Sequence, residues 1–181
     1  MLILIGKMAS GKDTIKQELI NLGMKNCCTY TTRPMRNGER NGSNYHFVSP
    51  EEFQELNDKN FFASTSEYYT KFGIWKYGMP KNDLLKTTNS IAILNPKEIK
   101  QIKENVLINT NYKICYLLAN DKNIWERLLK RGDDKEEITR RMLQDKADFE
   151  EMCNYADIAI RNENISPKDL AKIIYNAYQC L

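Results

Sequence analysis

The first residues able to do chemistry are Gly6, Gly11, Lys12 and Asp13, set in the run Gly6-Lys7-Met8-Ala9-Ser10-Gly11-Lys12-Asp13-Thr14. Glycines let a backbone come close to an oxyanion, and the N–H groups of a loop that opens a helix converge on one point. A lysine at this spacing reaches the outer phosphates of a nucleotide. Gly6 to Thr14 is therefore a candidate cradle for a triphosphate, with Lys12 as its cation. One position departs from the usual pattern: Asp13 stands where such loops carry Ser or Thr. The plain alternative for the same residues is a glycine-rich turn with a solvated lysine.

A cradle needs a strand before it and a helix after it. Residues 2–5 have the length and apolar character of a buried strand, and Ile15, Leu19, Ile20 and Leu22 mark one face of a helix. Further apolar strands are expected at 27–31, 90–94, 113–118 and 156–160, with helical patterns at 12–22, 96–105, 122–131, 135–153 and 167–178. Strands alternating with helices imply a parallel sheet covered on both faces, a three-layer α/β core. Ser49-Pro50-Glu51-Glu52 reads as a helix start with its cap, and Ser166-Pro167-Lys168-Asp169 as a weaker one. Between residues 32 and 88 the rhythm breaks into turn-rich and aromatic stretches with short strands at 45–49, 61–65 and 74–77. This stretch is expected to be a small α+β subdomain inserted into a core made of 1–31 and 89–181.

With 181 residues the chain suits a single domain carrying inserted subregions, and its net charge of +3 gives no argument for nucleic acid. Five cysteines in odd number, with no C-x-x-C spacing, suggest neither a disulfide framework nor zinc. No apolar window reaches membrane-spanning length. The expectation is a cytoplasmic protein with no membrane or nucleic-acid partner.

The segment TYTTRPMRNGERNGSNYHFVSPEEF, Thr29 to Phe53, closely resembles the nucleoside-monophosphate-binding segment of guanylate kinases. Arg33, Arg36, Gly38, Glu39, Gly42, Tyr45 and Phe47 match that family's pattern, although Arg-Pro-Met-Arg stands where many members place the proline one residue later. With the loop at Gly6, the Arg131-Gly132 pair and the Arg140-Arg141 pair, the resemblance covers most of the chain in the right order. It implies a P-loop NTPase core with a monophosphate-binding insertion over 32–88 and a short lid over 126–145. It implies ATP as donor, the magnesium ion Mg2+ as cofactor, and GMP or dGMP as acceptor. Arg33 and Arg36 would then clamp the acceptor phosphate, since guanidinium forks suit phosphate oxygens, Tyr45 would add a hydroxyl donor, and Glu39 would belong to the same substrate site. Tyr77 would match the family's second phosphate-binding tyrosine and Thr29 its base-contacting hydroxyl. Arg131 and Arg141 would come from the lid to neutralise charge on the transferring group, with Arg127 on the same side. The backbone near Asn162 would face the adenine.

The chain also departs from that family. Recognition of guanine requires acceptors for N1–H and the N2 amino group, which the family supplies as carboxylates. The first such position falls at Ser64 and the second in Asn95-Pro96-Lys97, with Glu67 near enough in sequence to substitute. Asp13 in the loop and Asn95 at the strand end together look like one negative charge moved across the site, with Asp13 serving Mg2+. The same exchange resembles ribose 1,5-bisphosphate phosphokinase, whereas Arg36 and the run from Glu39 to Phe47 resemble guanylate kinase. A non-catalytic guanylate-kinase-like binding module is the third reading; such modules lose the phosphate loop, which here is kept.

Plain readings remain for single residues. Thr31-Thr32-Arg33-Pro34 could be only a turn, Arg127 and Arg131 a solvated helix face, and Arg140 and Arg141 partners for Glu136, Glu137 or Asp145. His46 is expected opposite Tyr45 and Phe47, without a role. Tyr68, Tyr69, Trp75 and Tyr77 read as core of the small subdomain rather than as stacking groups.

Overall fold

All four side chains of strand β1 (Leu2–Ile5) are buried, as a central strand of a parallel sheet demands. The computed structural model describes residues 1–86, 89–104 and 112–181. After β1 come α1 (Lys12–Asn21), β2 (Lys25–Asn26), β3 (Tyr30–Thr31), β4 (His46–Phe47), α2 (Pro50–Asp58), β5 (Phe62–Thr70), β6 (Gly73–Pro80) and α3 (Lys81–Lys86). The chain continues through β7 (Ser90–Ile93), α4 (Pro96–Glu104), β8 (Lys113–Leu118), α5 (Asp121–Arg131), α6 (Lys135–Asp148), β9 (Ile158–Arg161) and α7 (Pro167–Gln179).

Five strands form a parallel sheet in the order β2-β7-β1-β8-β9. Side chains alternate across it. Leu2 and Leu4 meet Ile15 and Leu19 of α1 and Leu170 and Ile174 of α7, while Ile3 and Ile5 meet Ile99 and Ile102 of α4 together with Phe149 and Met152. The result is the expected three-layer α/β core. A second sheet, β4-β3-β6-β5, is inserted between the second and third core strands. Its long hairpin pairs Phe62 with Pro80 at the root and Thr70 with Gly73 at the tip. Helix α2 starts with the expected capping box, the Ser49 hydroxyl accepting from Glu52 N and Glu52 Oε2 from Ser49 N.

The hairpin is fastened at both ends. At its root the Gln101 amide of α4 donates to Thr65 O at 2.7 Å and accepts from Thr65 N at 2.9 Å. At its tip Lys71 pairs with Asp134, the cap of α6, at 2.8 Å.

Several expectations are corrected. The run 27–31 is not one core strand: Lys25–Asn26 pairs with β7, Tyr30–Thr31 pairs with β4 and β6, and Cys27 to Thr29 cross buried between the two sheets. Apolar character marks burial and does not say against which sheet. The hairpin strands are longer than 61–65 and 74–77, because Ser64, Ser66 and Thr70 hide the apolar alternation. The helix expected to reach 153 stops at Asp148, and a 3₁₀ turn, Met152–Tyr155, carries Met152 into the core. Helix α3 is not among the expected helices. The expected helix end at residue 105 and the insertion boundary at residue 88 lie outside the described residues. Among the described residues no helix is long and apolar enough to cross a membrane.

Candidate active site

The loop between β1 and α1 is built on two glycines that cannot be replaced. A Cβ on Gly6 would lie 2.7 Å from Leu117 O, and one on Gly11, whose φ is +100°, would lie 2.4 Å from Asn162 Nδ2. Both positions need the missing side chain. Lys12 Nζ donates to Gly6 O at 2.7 Å and Lys7 O at 2.8 Å, so the ammonium lies over its own loop. Burial lowers its pKa, opposed by Asp13 and Asp145. A third element closes the loop: Met8 N donates to Asp145 Oδ2 of α6 at 2.6 Å, placing a carboxylate on an amide of the candidate cradle. Burial raises the Asp145 pKa against the pull of that amide and of Lys12. The Lys7 side chain pairs with Asp121 at 2.8 Å, so only its backbone serves the loop.

A cavity opens beside this loop. Gly6, Met8 and Lys12 line one side, Arg140, Arg141 and Asp145 of α6 another, and Thr29, Tyr45, Tyr68, Trp75 and Tyr77 the face toward the second sheet. Tyr68, Trp75 and Tyr77 therefore do not form a subdomain core, and Tyr69 is 70% exposed. The period-two alternation sends Tyr68 to the cavity and Tyr69 to solvent. Tyr45 and Tyr77 stand edge to face with centroids 6.0 Å apart, and burial pushes the Tyr45 phenol pKa well up. His46 turns away and stacks on Tyr30 at 4.6 Å, as expected.

Arg33 is 4% exposed, between the rings of Tyr45 and Phe47, each 5.5 Å from its guanidinium carbon. It donates to Glu39 through NH1 at 3.0 Å and NH2 at 2.7 Å, and to Pro34 O at 2.8 Å. Those bonds spend three of the five guanidinium N–H groups and leave two for a ligand. Glu39 also accepts from Arg36 N at 2.7 Å, which ties the two arginines to one carboxylate. The Arg36 pKa is lowered, first by burial and then by Arg33, Arg131 and Arg141, so three other guanidiniums sit within electrostatic reach of Arg36. Arg131 is spent on Asp133, donating from Nε at 2.7 Å and from NH2. Arg140 and Arg141 both line the cavity, but Arg140 is engaged there: it forks onto Glu137 at 2.9 Å through Nε and NH2, as its plain reading has it.

Asp13 is exposed in the first turn of α1 and forms no hydrogen bond or ion pair among the described residues. Thr14, one residue on, is exposed as well. No group of three potential metal ligands is found among the described residues. On the far side of the loop a second hollow is lined by Asn123, Glu126, Arg127, Asn162 and Ile165. Arg127 NH1 donates to Ala9 O at 3.0 Å and Asn162 Nδ2 to Ser10 O at 2.8 Å, so both residues expected on the nucleotide side touch the loop.

The strand end after β7 departs from expectation. Asn95 caps α4: its Oδ1 accepts from Glu98 N at 3.1 Å, and Glu98 Oε2 accepts from Asn95 N at 3.1 Å and from Asn95 Nδ2. Asn95 Nδ2 also donates to Ser66 Oγ at 2.6 Å. An acid is thus present, one residue beyond Asn95-Pro96-Lys97, and it lines the cavity. Asn-Pro-Lys-Glu carries the same capping-box signal as Ser49-Pro50-Glu51-Glu52, which could have revealed it. Glu67 turns to solvent and pairs with Lys76 at 3.3 Å, so it does not substitute. Ser64 is buried with no partner for its hydroxyl.

A protein-family model described as Guanylate kinase matches residues 1–177. The chain is 32% identical over 187 residues to a guanylate kinase of Prochlorococcus marinus (strain MIT 9312), covering 96% of each sequence. It is 31% identical over 183 residues to one of Clostridioides difficile (strain 630), covering 96% of this chain and 86% of that one. The fold is similar to the crystal structure of a guanylate kinase from Anaplasma phagocytophilum, with a TM-score of 0.71 at 23% identity over 99% of this chain and 84% of that one.

Proposed function

The chain belongs to the guanylate kinase family, and from that premise we propose that it transfers the γ-phosphate of ATP to GMP or dGMP, releasing ADP. One observation carries the reading. Lys12, Arg140 and Arg141 line one cavity, and Arg36, whose charged form is disfavoured first by burial and then by Arg33, Arg131 and Arg141, lies within electrostatic reach of Arg141. Such a site is completed by anions, and a triphosphate with a monophosphate supplies them.

In this reading the insertion 32–88 holds the acceptor. The two free N–H groups of Arg33, the Arg36 guanidinium and the hydroxyls of Tyr45 and Tyr77 bind its phosphate, with Glu39 fixing both arginines. Backbone N–H groups from Gly6 to Thr14 hold the ATP phosphates, with the adenine in the hollow beside Arg127 and Asn162. The corner 126–145 is the lid. Binding of the triphosphate draws Lys12 off its loop carbonyls and displaces Asp145 from Met8 N. Arg131 leaves Asp133 and joins Arg141 on the transferring group. Positioning and charge neutralisation account for most of phosphoryl transfer, and one such arginine is worth about 10³ to 10⁵ in rate.

Asp13 fits Mg2+, since a hard cation of this kind is bound by one or two carboxylates and the substrate phosphates. Held there with the help of Asp13, the ion would supply charge neutralisation at the transferring phosphates. The cavity lies between two closing elements, which exclude water and with it wasteful hydrolysis.

The test is an ADP-release assay with ATP and Mg2+ across the four common nucleoside monophosphates, their deoxy forms and ribose 1,5-bisphosphate. Turnover is expected with GMP and dGMP. Consumption of ribose 1,5-bisphosphate with no turnover of GMP would overturn the proposal.

A further inference from the structure

Among the buried polar atoms without a hydrogen-bond partner are Glu98 Oε1 and Ser64 Oγ. Glu98 is 2% exposed and lines the same cavity as Thr29, Tyr45 and Tyr77. Its other oxygen, Oε2, is fixed by the backbone and side-chain amides of Asn95. Asn95 is in turn held by Ser66, so the carboxyl cannot turn without breaking the start of α4. An acceptor that is buried, immobile and unsatisfied is costly to a fold. It is kept where a ligand supplies the missing donor.

We propose that Glu98 reads the acceptor base, its Oε1 accepting from the N1–H and N2–H edge of guanine. The assignment rests on the GMP reading above and identifies the acid that Ser64, Asn95 and Glu67 do not provide. Guanine presents donors along this edge, whereas adenine presents the N1 lone pair and a C–H. A carboxylate oxygen therefore attracts the first base and repels the second. Thr29 lines the cavity with Glu98 and offers a hydroxyl that either accepts or donates. Burial raises the Glu98 pKa to about 8, and N–H donors from a base favour the charged form, so binding of guanine and ionisation of Glu98 support one another.

Glu98→Gln is the discriminating variant. Glutamine keeps the length and can still accept from Asn95 N, so the helix start survives, but it brings an amide N–H₂ that faces a donor either at Asn95 or at the base. A site built around a substrate N–H rejects mismatched partners strongly. The expected result is a fall of at least a hundredfold in kcat/KM for GMP, carried mainly by KM. The ratio of GMP to AMP efficiency should narrow by a similar factor, while affinity for a fluorescent ATP analogue stays within twofold and Tm does not fall. A GMP KM within threefold of wild type would overturn the assignment and leave Glu98 as a helix cap. Equal losses for GMP and ATP would overturn it too. If the wild-type chain turns over no monophosphate, the GMP reading fails and this assignment fails with it; GMP turnover that the variant keeps sinks only the assignment.

Discussion

Glu39→Gln should expose how much of this fold rests on one carboxylate. Glu39 receives three hydrogen bonds, from Arg33 NH1 at 3.0 Å, Arg33 NH2 at 2.7 Å and Arg36 N at 2.7 Å. Its partner Arg33 has 4% of its side chain exposed, against 16% for Glu39. Removing one member of a buried pair strands the other charge and costs about 3–5 kcal/mol, and the residual exposure of Glu39 argues for about 3 kcal/mol. For a chain of this size that is a fall in Tm of roughly 6–12 °C. The pH dependence gives a second check. Burial by itself raises the Glu39 pKa, but the bonds from Arg33 and from Arg36 N outweigh it and leave the pKa below 4.5. A carboxyl depressed on folding stabilises above its unfolded pKa, and this stabilisation is lost as pH falls through the folded value. The gap in Tm between wild type and variant should therefore be full at pH 7 and narrow as pH falls from the ordinary carboxylate range through the lowered folded value. Thermal melts from pH 3 to 8 with GMP absent would measure it. A Tm difference under 2 °C at pH 7, or one that does not change with pH, would refute the argument.

Three further outcomes follow from the site. Lys12→Ala and Arg36→Ala should each cut turnover at least a hundredfold in the ADP-release assay, and a near-normal rate in either would break the assignment of the two phosphate sites. Asp13→Ser should raise the Mg2+ concentration needed for half-maximal rate; higher activity with an unchanged Mg2+ requirement would remove Asp13 from the metal. Burial holds the Glu98 pKa near 8, so this group stabilises the fold at low pH and loses that contribution as pH rises toward 8. Relative to wild type, Glu98→Gln should accordingly gain Tm as melts move from pH 5 to pH 8, and parallel curves would show that the carboxyl is not perturbed.

What the sequence discloses here is mostly local. Gly6, Gly11 and Lys12 lie within seven consecutive residues, between a strand and a helix whose periods are plain. The Ser49 cap is legible because all its parts lie within four residues. Glu98 is equally legible as the N3 acid of an Asn95 cap, one residue beyond Asn95-Pro96-Lys97. Other features depend on distance along the chain. Asp145 reaches Met8 across 137 positions and Asn162 reaches Ser10 across 152, and no pattern near either residue announces the contact. Tyr68 and Trp75 carry a polar handle on an apolar body, and composition does not tell a core from a ligand-facing wall. The split of 27–31 between two sheets has the same origin, because burial is written in the residue type and the burying partner is not.

The two fastenings of the β5–β6 hairpin are unequal, and the hairpin is consequently a lever. The Gln101 amide at the root copies a strand pair with two bonds. The Lys71–Asp134 pair at the tip has side chains 41% and 48% exposed, and exposed ion pairs of this kind are worth roughly 0–1 kcal/mol and weaken in salt. Thermal agitation therefore frees the tip long before the root. Asn95 Nδ2 holds Ser66 Oγ and Lys97 Nζ holds Glu67 O, so the free arm begins at Glu67. From Glu67 to Lys71 it is roughly 13 Å long at about 3.3 Å per residue, so a pivot of about 10° moves the tip by roughly 2.3 Å. Tyr68, one residue past the tie, moves about a quarter as far, so the cavity wall beside Glu98 stays nearly still while the tip swings.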